Sequence, residues 1–159
     1  MILEDIRAFS STVPSGRPLL GLDLGTKTIG LALSDRLWRV ATPLLTLKRK
    51  KFGLDSAALL EVVATHDVGG LVLGLPLNMD GSEGPRCQAT RAFARNLLGV
   101  ANVPITLWDE RLSTVAAERA LLEADTTRRR RTEVIDHVAA GFILQGCLDR
   151  IAYMRGGDV

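Results

Sequence analysis

Three carboxylates stand among residues that favour a dry environment. Asp23 interrupts Leu19-Leu20-Gly21-Leu22-Asp23-Leu24, an otherwise apolar run. Burying an unpaired carboxylate costs several kcal/mol or forces it to take up a proton. Asp23 therefore requires a cation, a metal ion, or the N–H groups of the turn that follows at Gly25 and Thr26. Asp109 and Glu110 close an apolar stretch in Trp108-Asp109-Glu110-Arg111. Side chains alternate along a strand, so one of the two can point into a site while the other points away. An ion pair to Arg111 is the structural use of either. Asp136 interrupts Val134-Ile135-Asp136-His137-Val138-Ala139-Ala140. Asp is a poor helix-interior residue and is seldom buried, although near a helix start its charge favours the macrodipole. His137 is adjacent but falls on a different helical face.

These acids lie 87 and 26 residues apart, so only the fold can gather them. If it does, the ligand set is all oxygen, which suits hard divalent cations such as Mg²⁺ or Mn²⁺. No Cys or His spacing fits zinc. Cys87 and Cys147 lie in apolar-periodic segments and read as small core residues.

The elements that would position the acids follow from pattern. Residues 1–18 form a lead-in, a short amphipathic piece (Ile2, Leu3, Ile6, Phe9) followed by a flexible Ser/Pro/Gly-rich stretch, and a single domain spans 19–159. Leu19 to Leu24 predicts a strand covered on both faces. Gly25 to Lys27 turns the chain, and Thr28 to Ser34 returns beside it. Trp38 to Leu47, broken by Pro43, predicts an edge strand. Leu54 to Thr65 has helical spacing, Val68 to Leu75 reads as a buried strand, and Pro85 to Leu98 as a helix with Pro in its first turn. Val103 to Trp108 is another strand. Ser113 offers an N-cap for a helix to Leu122. Ala124 to Arg131 is polar and predicts a mobile loop, and Glu133 to Ile151 predicts a buried helix. Three strands in a meander followed by strand–helix alternation indicate an α/β fold, a mixed sheet with helices on its faces.

Composition sets the bounds. The 159 residues are 47% hydrophobic and 24% charged, which suits one folded domain and excludes wholesale disorder. The net charge of +2 does not by itself specify a nucleic-acid partner. From Gly84 to Arg131, however, nine Arg face five acids. No apolar run approaches the roughly 20 residues needed to span a bilayer, and Glu4, Asp5 and Arg7 break any signal-peptide pattern. The expectation is a cytoplasmic protein without a membrane partner.

Five stretches occur in order: Leu22-Asp23-Leu24-Gly25-Thr26-Lys27-Thr28-Ile29-Gly30, Ser34-Asp35, Gly74-Leu75-Pro76-Leu77-Asn78-Met79-Asp80-Gly81-Ser82-Glu83, Trp108-Asp109-Glu110-Arg111-Leu112-Ser113-Thr114 and Asp136 to Gln145. Together they resemble the YqgF-type family, ribonuclease H-like proteins described as pre-16S rRNA nucleases and Holliday junction resolvase-like proteins. The resemblance covers about Leu19 to Leu148. It implies a ribonuclease H-like mixed five-stranded sheet flanked by helices. It also implies a catalytic, metal-binding trio of Asp23, Glu110 and Asp136, which selects Glu110 over Asp109. Position 28 is Thr where many members carry Arg, and position 137 is His where Lys is frequent; neither change removes a metal ligand.

The implied activity is metal-dependent phosphodiester hydrolysis with Mg²⁺ or Mn²⁺, on structured RNA at the 5′ end of pre-16S rRNA. Lys27 and Arg111 would hold phosphate by charge, and Asn78 to Ser82 would shape the substrate channel. Arg128, Arg129, Arg130 and Arg131 form either a backbone clamp or a solvated face. An aromatic content of only 4% argues against base stacking, leaving backbone shape and charge to select substrate. Three rivals stand beside this reading. A four-way-junction DNA endonuclease would favour a homodimer. An actin-like ATPase also begins with Asp-Leu-Gly-Thr but needs two lobes. A ribosome-assembly or nucleic-acid-binding factor would leave the acidic trio without a task.

Overall fold

The computed structural model describes residues 1–112 and the backbone of 128–156, with side chains from His137 onward. Helix α1 (Ile6–Thr12) precedes strands β1 (Leu19–Leu24), β2 (Thr28–Ser34) and β3 (Ala41–Lys48). Then come α2 (Phe52–His66), β4 (Gly70–Leu75), α3 (Pro85–Leu98), β5 (Ile105–Asp109), a single 3₁₀ turn (Glu110–Leu112) and α4 (Arg128–Gly156). The expected helix from Ser113 to Leu122 lies outside the described residues.

The sheet order is β3-β2-β1-β4-β5. The β1–β2 and β2–β3 pairs are antiparallel, while β4 runs parallel to both β1 and β5. Strands β1 and β4 are buried along their whole length, as their continuous apolar runs require when both faces are covered. Alternate residues serve two cores. Leu20, Leu22, Leu71 and Leu73 pack with Leu59, Phe93 and Leu97 of α2 and α3. Val72 and Trp108 pack on the other face with Ala140, Ile143, Leu144 and Cys147 of α4. Gly21 lets α4 sit close to the sheet, because a Cβ there would stand 2.8 Å from Leu144 Cβ and 3.0 Å from the Ala140 carbonyl.

Several boundaries move for identifiable reasons. Strand β3 begins at Ala41 rather than Trp38 because the Asp35 carboxylate accepts the Arg39 and Val40 N–H groups at 2.7 and 3.0 Å, holding a turn. Strand β4 begins at Gly70 because Asp67, in a left-handed conformation, ends α2, with Val68 N–H donating to the Val63 carbonyl. Arg128 to Arg131 belong to the first turn of α4 instead of a loop; Arg is among the better helix formers, and the polarity of the run concealed this.

The lead-in has structural work of its own. Leu3 N–H donates to the Ile105 carbonyl at 2.7 Å and Ile105 N–H to the Met1 carbonyl at 2.9 Å, so the first residues extend the sheet past β5 as a parallel bridge. Asp5 caps α1 by accepting Arg7 N–H at 3.0 Å. Phe9 and Val13 are buried, filling the space over Gly70, whose Cβ would stand 2.9 Å from Phe9 Cζ and 2.8 Å from Val13 Cγ2. Within the stretch expected to be flexible, Val13 is thus packed into the glycine gap. Among the described residues no helix is long and apolar enough to cross a membrane. We expect Phe9→Ala to destabilise the protein by about 3–5 kcal/mol, read as a lower urea midpoint at unchanged slope; a loss below about 1 kcal/mol would show that α1 is merely appended.

Candidate active site

Asp23 is the fifth residue of β1, paired across to Gly30 of β2, and only 4% exposed. It shares its sheet face with Gly21, the face covered by α4. The turn after it closes on itself, with Gly25 N–H donating to the Thr28 carbonyl at 2.8 Å. Leu22 pairs with Leu73 in the parallel register, so one further step sets Asp23 beside Gly74.

Gly74 is also where Glu110 arrives. A Cβ on Gly74 would stand 2.6 Å from Glu110 Oε1 and 2.5 Å from Ile143 Cδ1. Gly74 pairs with Trp108 on β5, and Glu110 begins the 3₁₀ turn immediately after that strand. Its side chain folds back over β4 into space that any side chain at position 74 would fill. Asp23 of β1 and Glu110, which follows β5, are therefore brought to one face of the sheet, across the intervening β4 at Gly74 and beneath α4.

Asp109 is employed elsewhere. It accepts Arg111 Nη2 at 2.7 Å, Nε at 3.1 Å and the backbone N–H at 2.9 Å. The Arg111 guanidinium holds its carboxyl below the usual carboxylate range, against an opposing effect of burial. Arg111 also reaches the Met79 carbonyl at 3.4 Å. It thereby fastens the loop from Asn78 to Ser82 to the end of β5. That loop closes through Gly81 N–H to the Asn78 carbonyl (2.8 Å), with Gly81 at φ 88°. Asn78 Nδ2 donates to Ser82 Oγ at 3.0 Å, and Ser82 Oγ donates to Asp80 at 2.6 Å. Asn78 and Ser82 thus set the loop's shape, while Arg111 is committed largely to Asp109 and Met79. Lys27 is exposed on the β1–β2 turn.

The side chains of Asp136 and of Arg128 to Arg131 lie outside the described residues. On the backbone, Asp136 stands one helical turn before Ala140, which lies over Gly21. The next residue, His137, meets Thr46 of β3 through Nδ1 at 2.9 Å from Thr46 Oγ1. Thr46 pairs with Gly30, and Gly30 with Asp23, so this helical turn crosses the row of the sheet that contains Asp23. Among the described residues no three His, Cys, Asp or Glu side chains gather at one point.

Two residues near the site escaped the reading of the sequence. Arg49 Nη1 donates to the Gly25 carbonyl at 2.7 Å, and Arg86 Nη2 to the Leu24 carbonyl at 3.0 Å. Arg49 belongs to the basic run Lys48–Lys51, and neither it nor Arg86 carries a local motif.

Comparison with known proteins gives a consistent picture. The family model described as "RuvX: Holliday junction resolvase" matches residues 17–150. A Roseobacter denitrificans protein named "Putative pre-16S rRNA nuclease" is 68% identical over 158 residues, spanning 98% of this chain and 96% of its own length. A Ruegeria pomeroyi protein of the same name is 67% identical over 151 residues, spanning 95% and 98% respectively. Among solved structures, T. thermophilus RuvC in complex with Holliday junction substrate superposes with a TM-score of 0.52 at 15% identity, covering 85% of this chain and 96% of that one. At that identity the likeness concerns the fold, a RuvC-like ribonuclease H arrangement.

Two outcomes follow from this geometry. Gly74→Ala should cost about 1–3 kcal/mol by overpacking, and adding Glu110→Ala should recover part of that cost, since the new methyl meets the Glu110 carboxylate. Strictly additive losses in a double-mutant cycle would show that the two positions do not touch. Asp109 has a lowered folded pKa, so its contribution is present above the unfolded value of about 3.9 and is lost as pH falls through the folded one. Wild type should therefore melt above Asp109→Asn at neutral pH, with the gap closing below about pH 4. A gap unchanged from pH 6 to pH 2.5 would contradict the pairing.

Proposed function

Because the chain belongs to the RuvX family, described as Holliday junction resolvases, we propose that it is a metal-dependent nuclease whose substrate is the precursor of 16S rRNA. The reaction is hydrolysis of a phosphodiester bond. The observation that carries the reading is Asp23, a carboxylate buried in the central strand, beside the glycine over which Glu110 folds. The substrate reading draws on the name shared by the relatives from Roseobacter and Ruegeria.

The donor set fits a hard divalent ion. Asp23 and Glu110 offer only oxygens from one sheet face, and a buried carboxylate is stabilised by a cation. Asp23, Glu110 and Asp136 would hold Mg²⁺ or Mn²⁺, with Asp136 contributed from the turn of α4 above the Asp23 row. When bound, such ions activate water and neutralise charge on the phosphate and on the departing oxygen.

The chain's own groups do the rest. The walls of β1, β4 and α4 keep bulk water from Asp23, which strengthens its attraction for cations. Arg111 and Asp109 hold the Asn78–Ser82 loop rigid at the mouth of the site. Lys27 presents a charge to the phosphate backbone from the β1–β2 turn. Arg128 to Arg131, in the first turn of α4, would add positive charge for a nucleic-acid backbone. An enzyme acting on a ribosomal RNA precursor would work in the cytoplasm.

The family description supports a second substrate, the four-way DNA junction, for which two sites in a homodimer would be needed to cut two strands. The test is cleavage of an end-labelled precursor-rRNA leader beside a labelled junction, with Mg²⁺ or Mn²⁺ and with chelator. We expect metal-dependent cleavage of the leader, reduced to the uncatalysed background by Asp23→Asn. Melting curves of the variant separate loss of chemistry from loss of fold. Undiminished cleavage by the variant would defeat the catalytic assignment; cleavage of the junction alone would move the substrate to DNA.

A further inference from the structure

We propose that the β1–β2 turn, with Arg49 and Arg86 closing on it, seats a second, uncleaved phosphodiester of the substrate strand. The inference rests on the nuclease reading and names part of its substrate grip. The two guanidiniums reach consecutive carbonyls at the end of β1, Gly25 for Arg49 and Leu24 for Arg86. Together with Thr26 and Thr90 they line a small cleft of about 50 Å³. Arg49 Cζ lies over the Phe93 ring, 5.6 Å from its centroid, and the Arg49 backbone N–H donates to the Lys27 carbonyl at 2.8 Å. A guanidinium carries five N–H donors. Among the described residues each of these two uses one on the turn, leaving the others for a ligand.

Charge distinguishes this pair from the structural arginines. Arg91 binds Glu83 and Glu4, Arg111 binds Asp109, and Arg17 and Arg36 approach Asp67. Arg49 and Arg86 face one cleft, and among the described residues no carboxylate pairs with either. Bringing two positive charges together without an acid is unfavourable, and an anion between them reverses the sign. Planar bidentate donation from Arg matches phosphate oxygens.

Position selects the anion. The cleft is built on Leu24 and Gly25, directly following Asp23 in the chain, and Leu24 belongs to the opposite core from the face that carries Asp23. A strand whose reacting phosphate lies at Asp23 and Glu110 can cross the end of β1 over the turn and lay its neighbouring phosphate into the cleft. Anchoring that phosphate fixes the register of the reacting bond.

The experiment uses the full chain carrying Asp23→Asn, so that substrate stays intact. Fluorescence anisotropy of a labelled single-stranded leader RNA and of a four-way DNA junction is followed against KCl concentration. Each released phosphate contact on a single strand should lower the slope of log K against log salt by about 0.7. We expect that fall for Arg49→Gln and for Arg86→Gln separately, recovery of the slope by Arg49→Lys and Arg86→Lys, and no change for Arg39→Gln on the distant β2–β3 turn. Unchanged slopes in both Gln variants overturn the seat. So does weaker binding at constant slope, the sign of a purely structural role, and melting curves identify any variant that has lost its fold. If a Gln variant does not fold, the matching Lys variant must retain the parental slope, and failure to do so also overturns the seat. If the Asp23→Asn parent binds neither nucleic acid, the nuclease reading itself falls and the seat falls with it.

Discussion

An ionised carboxylate in the central strand of a sheet is unfavourable by several kcal/mol unless something positive meets it, and the surroundings of Asp23 are organised around that tension. Replacing it with a Leu would make β1 continuous with its neighbours and bury more apolar surface. The strand instead places an acid where two helical layers exclude water. The same exclusion that makes the acid costly makes its attraction for a cation strong, since Coulomb energy rises as the local dielectric falls. This is the tension expected where a site conflicts with the packing around it.

Around that point the architecture works by omission. Gly74 has no side chain where Glu110 must lie, and Gly21 has none where α4 must approach. Both glycines are on the face carrying Asp23, whereas the opposite face of β1 and β4 is filled with leucines. One face of the central strands is thus a conventional core, and the other brings a helix down onto the sheet while leaving a gap at its end. A parallel neighbour strand is well suited to this. It sets the ends of β1, β4 and β5 at the same edge, so residues just past each strand, such as Glu110, converge without long loops.

Much of this was legible in the residues. The apolar runs from Leu19 to Leu24 and from Val68 to Leu75 announce strands covered on both faces, and the anomaly of Asp23 within the first is visible without coordinates. The choice between Asp109 and Glu110 came from the family resemblance and not from the strand pattern, because alternation says that they diverge but not which one faces the helix; in the structure the answer depends on the gap at Gly74. The lead-in was equally opaque. Ile2 pairs with Ile105, and Phe9 fills the space above Gly70, both long-range partnerships that local polarity cannot express. In the Arg128–Arg131 run, polarity suggested a loop where intrinsic helix preference prevailed. The sequence pattern is most informative where burial is continuous, and least where one distant residue decides the environment of another.

The arginines show how far a residue type alone can mislead. An Arg near an active site invites a phosphate-binding role, yet Arg111 has Asp109 on two of its nitrogens and a loop carbonyl on a third. Its charge is largely neutralised before any substrate arrives, and its work is to keep a loop in place. Arg49 and Arg86 sit in plainer sequence and retain their charge at the end of the strand that bears Asp23. The physical criterion is the counter-ion rather than the motif. A guanidinium already matched to a carboxylate gains little from a phosphate, because the first partner must be displaced or left unsatisfied. One that is held in position by neutral carbonyls and an aromatic ring retains its attraction while having already given up its conformational freedom. Fixed geometry with unmatched charge is what electrostatic preorganisation requires, and in this molecule it lies just beyond the buried acid on which the site is built.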